Sequence, residues 1–342
     1  MPDAPTPPPP SPSPPIKETA IEPFIERLKR RRVVAAALVI AAIVGGVASF
    51  TDSARKLVDL VRPSKAADPR EQLAKLRLRF DADAFVAAAA KGDEVAVKLY
   101  LAASMPVDAP SREAGGATAL IVATDARRTE VVKQLLAAHA DLAARDGNRM
   151  TALALAASRG DVALTTLMLA ANPDPAVVRN AWSDAAEAGQ LEVLKLIAPR
   201  VRAEQPGLAT ATLFSVVGVD DAPSHAGQGQ AQVVAWLLDQ GADPRAVDEK
   251  RWTLVHHAAY HGAAEVVRQL LDRGAEADAR DAEGASPLWW AAGVGLRDTA
   301  RVLLEHGADA RLAAKDGTTV MARARYNKDE EMVALLRERG AR

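Results

Sequence analysis

Gly241, Gly274, Gly307 and Gly340 stand 33 residues apart along the C-terminal third of the chain. The first three each follow a run with apolar residues at helical spacing, at 233–238, 266–271 and 300–304. A glycine just past a helix supplies the left-handed residue that closes it. A second marker keeps the same interval: Thr253, Ser286 and Thr319 stand 33 apart, as do Thr118 and Thr151, and apolar residues with alanine pairs follow. The repeating unit therefore reads as turn, short helix, tight turn, longer helix and glycine stop. A two-helix unit of this size cannot bury its apolar face alone, so copies must stack into a solenoid.

The stretch 281–295 resembles the turn and first helix of the ankyrin repeat family, and 301–309 its second helix and exit. The resemblance covers about residues 80 to 342, with units near 81–110, 113–145, 146–178, 179–207, 208–247, 248–280, 281–313 and 314–342. The fourth lacks the turn signature but keeps a helix pair at 185–197. The fifth carries an insertion at 219–230, rich in Gly, Asp, Pro and Ser, that reads as an extended loop between its helices. With 49% apolar and 4% aromatic residues and no β-rich segment, the fold class is all-α. A formal charge of −1 lacks the basic footprint of a nucleic-acid binder, and zero cysteines exclude disulfides, thiolate metal sites and cysteine nucleophiles.

The N-terminal part is different. Residues 1–32 form a Pro-rich tail with a basic flank, whose prolines at 2–15 cannot donate the bonds of helix or sheet; it reads as a disordered, extended spacer, although PxxP spacings also suit an aromatic groove. Residues 33–50 are eighteen in a row without a charge, preceded by Lys29 and Arg30 to Arg32. As a helix they span roughly 27 Å, about a hydrocarbon core, and read as a single uncleaved membrane anchor. The density of the basic cluster favours an N-terminus in the cytoplasm and repeats across the membrane, in the periplasm of a bacterium. A cytoplasmic repeat domain is the alternative, because Arg55, Lys56, Arg62, Lys65 and Arg70 make the segment after the span basic too. Ala37, Ala41, Gly45 and Ser49 recur every fourth residue, a ridge that lets two membrane helices pair into a homodimer and that an alanine-rich segment also generates by chance. Residues 51–80 read as a juxtamembrane helix and linker, with a new helix from Asp68 and Pro69 through Leu73, Leu76, Leu78 and Phe80.

No Gly-rich phosphate loop, nucleophile elbow or HExxH motif is present, so the expectation is a non-enzyme without a cofactor. His257 and His261 lie one helical turn apart beside His256, which opens a metal-binding or enzyme-accessory alternative, but a third ligand is missing. A structural oligomer held by the membrane helix is another. The resemblance gives His256 a structural hydrogen-bonding role and leaves His257 and His261 on the surface. It further implies a concave face, formed by turn tips and first helices, that binds a protein partner. The positions here are Asn148, Met150 and Arg159 in the third unit; Glu249, Lys250, Trp252, Tyr260 and His261 in the sixth; Glu283 in the seventh; Lys315 and Tyr326 in the eighth. Trp252, with Tyr260 beside it, is the expected anchor, since such rings carry much interface energy. Departures from the family pattern are Ile121, Ala154 and Trp289 at the turn-histidine position, which predict an incomplete polar network between repeats, and Arg251 where Gly is preferred, which puts the local turn geometry in question. Trp289 is expected in the core and Trp290 on either side. Arg323, Arg325, Arg337, Arg339 and Arg342 suggest a polar end cap.

Overall fold

The computed structural model describes residues 68–201, 207–218 and 228–341. The tail 1–32, the apolar segment 33–50 with Ala37, Ala41, Gly45 and Ser49, residues 51–67, most of the 219–230 insertion and Arg342 lie outside the described residues. Among the described residues there are seventeen helices, no strand, and no helix long and apolar enough to cross a membrane.

The chain divides into two compact units, Met1–Gln72 and Leu73–Arg342. Of the first, only the start of α1 (Pro69–Lys75) is described, where the Asp68 carboxylate accepts the Arg70 N–H at 3.0 Å. α1 stops at Lys75, so the helix expected to run through Leu76, Leu78 and Phe80 is cut short. Arg77 turns left-handed at φ 58° and the Leu78 N–H returns to the Leu73 carbonyl at 2.9 Å, closing the helix. Phe80 then stacks on Tyr100, with centroids 6.3 Å apart, and the Tyr100 hydroxyl donates to the Arg79 carbonyl.

The second unit is built of helix pairs. They are α2 (Ala82–Lys91) and α3 (Glu94–Ala102), α4 (Ala119–Asp125) and α5 (Thr129–Ala137), α6 (Ala152–Ser158) and α7 (Val162–Ala170), α8 (Pro175–Glu187) and α9 (Leu191–Val201), α10 (Leu208–Val217) and α11 (Gln228–Asp239), α12 (Leu254–Tyr260) and α13 (Ala264–Asp272), α14 (Pro287–Val294) and α15 (Arg297–Glu305), and α16 (Val320–Tyr326) and α17 (Glu330–Glu338). Each first helix packs on the first helix of the next pair, and each second helix on the next second helix, giving two rows. Alanine permits the close approach: Ala258, Ala259, Ala291 and Ala292 are fully buried.

The periodic markers have local causes. Thr118, Thr151, Thr253, Ser286 and Thr319 are the N-caps of α4, α6, α12, α14 and α16, each accepting the backbone N–H three residues on. Gly241, Gly274, Gly307 and Gly340 all have φ between 86° and 88°, as a left-handed helix stop requires. Antiparallel bridges pinch three turns, at Arg145 with Thr151, Val247 with Thr253 and Ala313 with Thr319.

Where units depart from the pattern, the structure supplies substitutes. The turn residue two places before the N-cap is left-handed throughout, as Gly116, Arg149, Arg251, Gly284 and Gly317. Arg251, at φ 62°, keeps the turn that its identity put in question, at a cost of roughly 1 kcal/mol of backbone strain. The Trp289 indole N–H donates to the Thr318 carbonyl at 3.0 Å, the same inter-repeat bond that His256 Nε2 makes to the Ala285 carbonyl at 3.2 Å. The polar network expected to fail at Trp289 is therefore kept; Ile121 and Ala154 carry no donor to make it. Trp289 is half-buried rather than a full core residue.

The fourth pair starts at Pro175, ahead of the 179 boundary, because Asp174 caps α8 and a proline at the first helical position extends it outward. Trp182 on α8 is buried and donates to Thr212 Oγ1 at 2.8 Å, tying this pair to α10. Residues 228–230 of the supposed loop are the first turn of α11. Gly229 there meets Gly189 so closely that a Cβ on Gly189 would lie 2.8 Å from the Gly229 carbonyl carbon, which accounts for both glycines. At the last pair Arg325, Arg337 and Arg339 are exposed, in keeping with a polar end, but Arg323 folds back over the Trp289 ring at 4.1 Å.

Candidate functional site

The turn before α12 joins α12 and α14 in bringing four rings together. The Trp252 centroid lies 4.8 Å from Trp290, 5.1 Å from His257 and 5.7 Å from Tyr260, and Tyr260 lies 5.7 Å from Trp290. His261 touches Tyr260 at 5.2 Å, Trp289 touches Trp290 at 5.0 Å, and Phe214 of α10 reaches His257 at 5.9 Å. The cluster thus spans three pairs along the first-helix row. Interplanar angles from 53° to 80° among Trp252, Tyr260 and Trp290 are the edge-to-face and tilted arrangements that aromatic quadrupoles favour. Trp252 and Trp290 are half-buried and Tyr260 is 39% exposed, so the cluster is anchored inside and open outside.

Two turn aspartates hold it in place. Asp248 accepts the Trp252 N–H at 2.8 Å and meets His257 Nε2 at 3.0 Å; Asp281 accepts the Ala285 N–H at 2.8 Å and the Trp290 indole N–H at 2.8 Å. Burial alone would raise the Asp248 carboxyl, but the Trp252 N–H and the His257 ring outweigh it and hold the group below the usual carboxylate range. Each aspartate is followed nine residues later by the ring nitrogen it fixes, and the two pairs are 33 residues apart. That doubled spacing is the sequence signal that would have joined His257 and Trp290 to the site. His257 is accordingly no ordinary surface residue: it is half-buried and committed to Asp248.

His256 is fully buried behind the cluster. Its Nδ1 accepts the Thr253 N–H at 3.2 Å while the Thr253 hydroxyl accepts the His256 N–H at 3.3 Å, a reciprocal cap at the start of α12. Burial pushes its pKa down, and the carbonyl of Ala285 opposes that shift only in part; with Nδ1 accepting the Thr253 N–H, Nε2 is the nitrogen that donates to the Ala285 carbonyl.

The other expected positions are spread along the stack. Glu249 and Lys250 are exposed at the turn tip beside Trp252. Glu283 and Lys315 are joined through the backbone, the Lys315 N–H donating to the Glu283 carbonyl at 2.9 Å, while Lys315 Nζ donates to the Ala282 carbonyl. Tyr326 is 81% exposed and outside the ring cluster. Asn148, Met150 and Arg159 sit on the third pair, separated from α12 in the row by α8 and α10. The N–H groups of Asn148 and Met150 are held by Asp146, and Arg159 reaches back to Asp125. On α8 itself, Asp184 is half-buried, and burial raises its carboxyl above the usual range. No group of three His, Asp or Glu side chains among the described residues converges as a metal site, and His257 Nε2 already faces Asp248.

A family model described as ankyrin repeats in three copies matches residues 224–314 and 274–342, and one described as ankyrin repeat matches residues 115–147. None of the curated proteins matches the chain at a significant level.

Proposed function

Residues 115–147 and 224–342 belong to the ankyrin repeat family, whose stacks are generally non-enzymatic interaction scaffolds, and on that footing we propose that this chain binds a protein partner through the first-helix row, with Trp252, Tyr260 and Trp290 as the anchor. One observation carries the reading: three large rings, none fully buried, pack on one another, with the Trp290 indole held by Asp281 and the Trp252 backbone and the neighbouring His257 held by Asp248. Preorganised aromatic side chains give large contact area at low entropic cost, which is why they dominate interface energetics.

A photo-crosslinking side chain placed at Tyr260 should capture a defined partner that the same group at Val95, exposed on α3 of the second-helix row, does not. Equal capture from both positions would remove the cluster as the docking site.

The apolar segment 33–50 supports the further proposal that the repeats are held at a membrane, with the N-terminus cytoplasmic and the repeats on the far side, periplasmic in a bacterium. A phosphatase that folds only outside the cytoplasm, fused after Arg342, should be active; activity of only a cytoplasmic reporter at the same position would reverse the orientation. The ridge of Ala37, Ala41, Gly45 and Ser49 motivates a separate proposal, pairing of two copies, which unaltered self-association of Gly45→Ile in a membrane two-hybrid assay would discard.

A further inference from the structure

Between the turns of the sixth and seventh pairs lies a groove of about 340 Å³, away from the ring cluster's own contacts. Pro244, Val247, Ala275 and Ala279 give it apolar walls, and Val247 is 57% exposed. Arg245, Arg251 and Arg280 line it as well, against the single carboxylate of Glu276.

These arginines differ from their neighbours. Arg268, Arg273, Arg297, Arg301 and Arg311 are each ion-paired to an aspartate or glutamate. Arg245 spends its Nε on the Gly274 carbonyl at 2.7 Å, and Arg251 and Arg280 have neither a hydrogen bond nor an ion pair from the side chain among the described residues. Arg251 is moreover held left-handed at φ 62°, where Gly284 and Gly317 serve the equivalent turns without strain. Arg149 carries the same strain at φ 65° in the third pair, so it is the groove around Arg251 and not the strain that sets this turn apart. A guanidinium presents its donors in a planar fork that matches carboxylates in pairs.

We propose that this groove binds an acidic segment of a protein partner, with an apolar side chain against Val247 and Ala279 and flanking carboxylates on Arg251 and Arg280. The excess of cationic over anionic groups selects the charge of the occupant, and the apolar walls select a peptide over a bare anion. None of the four rings lines the groove, but Arg251 and Trp252 adjoin in the turn that Asp248 holds, so one partner can engage both surfaces.

The test uses the full chain purified in detergent and a fluorescein-labelled peptide of sequence Glu-Glu-Leu-Glu-Glu-Leu, read by anisotropy. Saturable binding that weakens with salt is expected, and combining Arg251→Gly with Arg280→Gln should lower affinity at least about tenfold. Arg251→Gly should melt no lower than the parent, since it relieves the left-handed strain, so lost binding is not lost folding. Arg149→Gly, which relieves the same strain outside the groove, should leave binding unchanged. Absence of saturable binding, an unaltered affinity in the double variant, or equal loss in Trp252→Ala would each overturn the proposal. So would displacement of the peptide by inorganic phosphate at concentrations where chloride has no effect, which would mark a phosphate site instead.

Discussion

Replacing His256 with alanine is expected to lower the unfolding free energy by about 3 kcal/mol, one of the largest single-residue losses in the stack. The ring is fully buried, so its removal leaves a cavity; it also orphans the buried carbonyl of Ala285 and the Thr253 N–H. The second loss matters because the Ala285 bond joins two units, and a solenoid is held by such nearest-neighbour terms. Chemical denaturation of the parent and variant measures it, and a loss under about 1 kcal/mol would show that the bonds are replaced by water. The same residue sets a pH dependence. Its folded pKa lies below the ordinary value of 6.5, so between the two values the unfolded chain binds the extra proton. The stability this withholds is absent above the unfolded value and grows as pH falls through the window toward the folded one. Melting temperature should therefore fall as pH drops below the ordinary value of 6.5, and fall less in His256→Ala. Parallel declines in both would assign the effect elsewhere.

The regular parts of this fold were legible because one residue type does one job at a fixed interval. Thr253, Ser286 and Thr319 cap helices wherever they stand, and the four glycines stop them, so neither needs the tertiary structure to be read. The fourth pair was harder. Its start depends on Asp174 and Pro175 and its tie to the next pair on Trp182, features that carry no period. The insertion read as loop by composition, yet Gly229 serves the close approach to Gly189 rather than flexibility, a distinction that only the neighbouring backbone makes. At the site, Trp252 could be picked from its place at a turn tip and Tyr260 from its place at the end of a first helix. Trp290 and His257 could not be placed by type alone, because a tryptophan or histidine on an alanine-rich helix suits core and surface equally. Their partners Asp248 and Asp281 decide the matter through hydrogen bonds nine residues long in sequence. Trp289 shows the opposite limit: the loss of histidine suggested a lost bond, while geometry lets an indole N–H reach the same carbonyl position one unit on.

Trp252→Ala is expected to weaken binding to the partner captured at Tyr260 by roughly 2–4 kcal/mol, or about 30-fold to 1,000-fold. Part of this is direct area. The rest comes from its neighbours, since Trp252 packs on Trp290 at 4.8 Å and on Tyr260 at 5.7 Å, and without it both rings regain freedom that binding must then remove. Trp252→Phe keeps a ring in the same place and should recover most of the affinity, whereas a purely structural role would show as a lowered melting temperature with affinity per folded molecule unchanged. Trp290→Ala should be partly redundant with Trp252→Ala, because residues in one packed cluster do not contribute independently. Isothermal titration of the single and double variants separates these cases: a double loss clearly smaller than the sum marks one anchor, and strict additivity would break the cluster into two unrelated contacts.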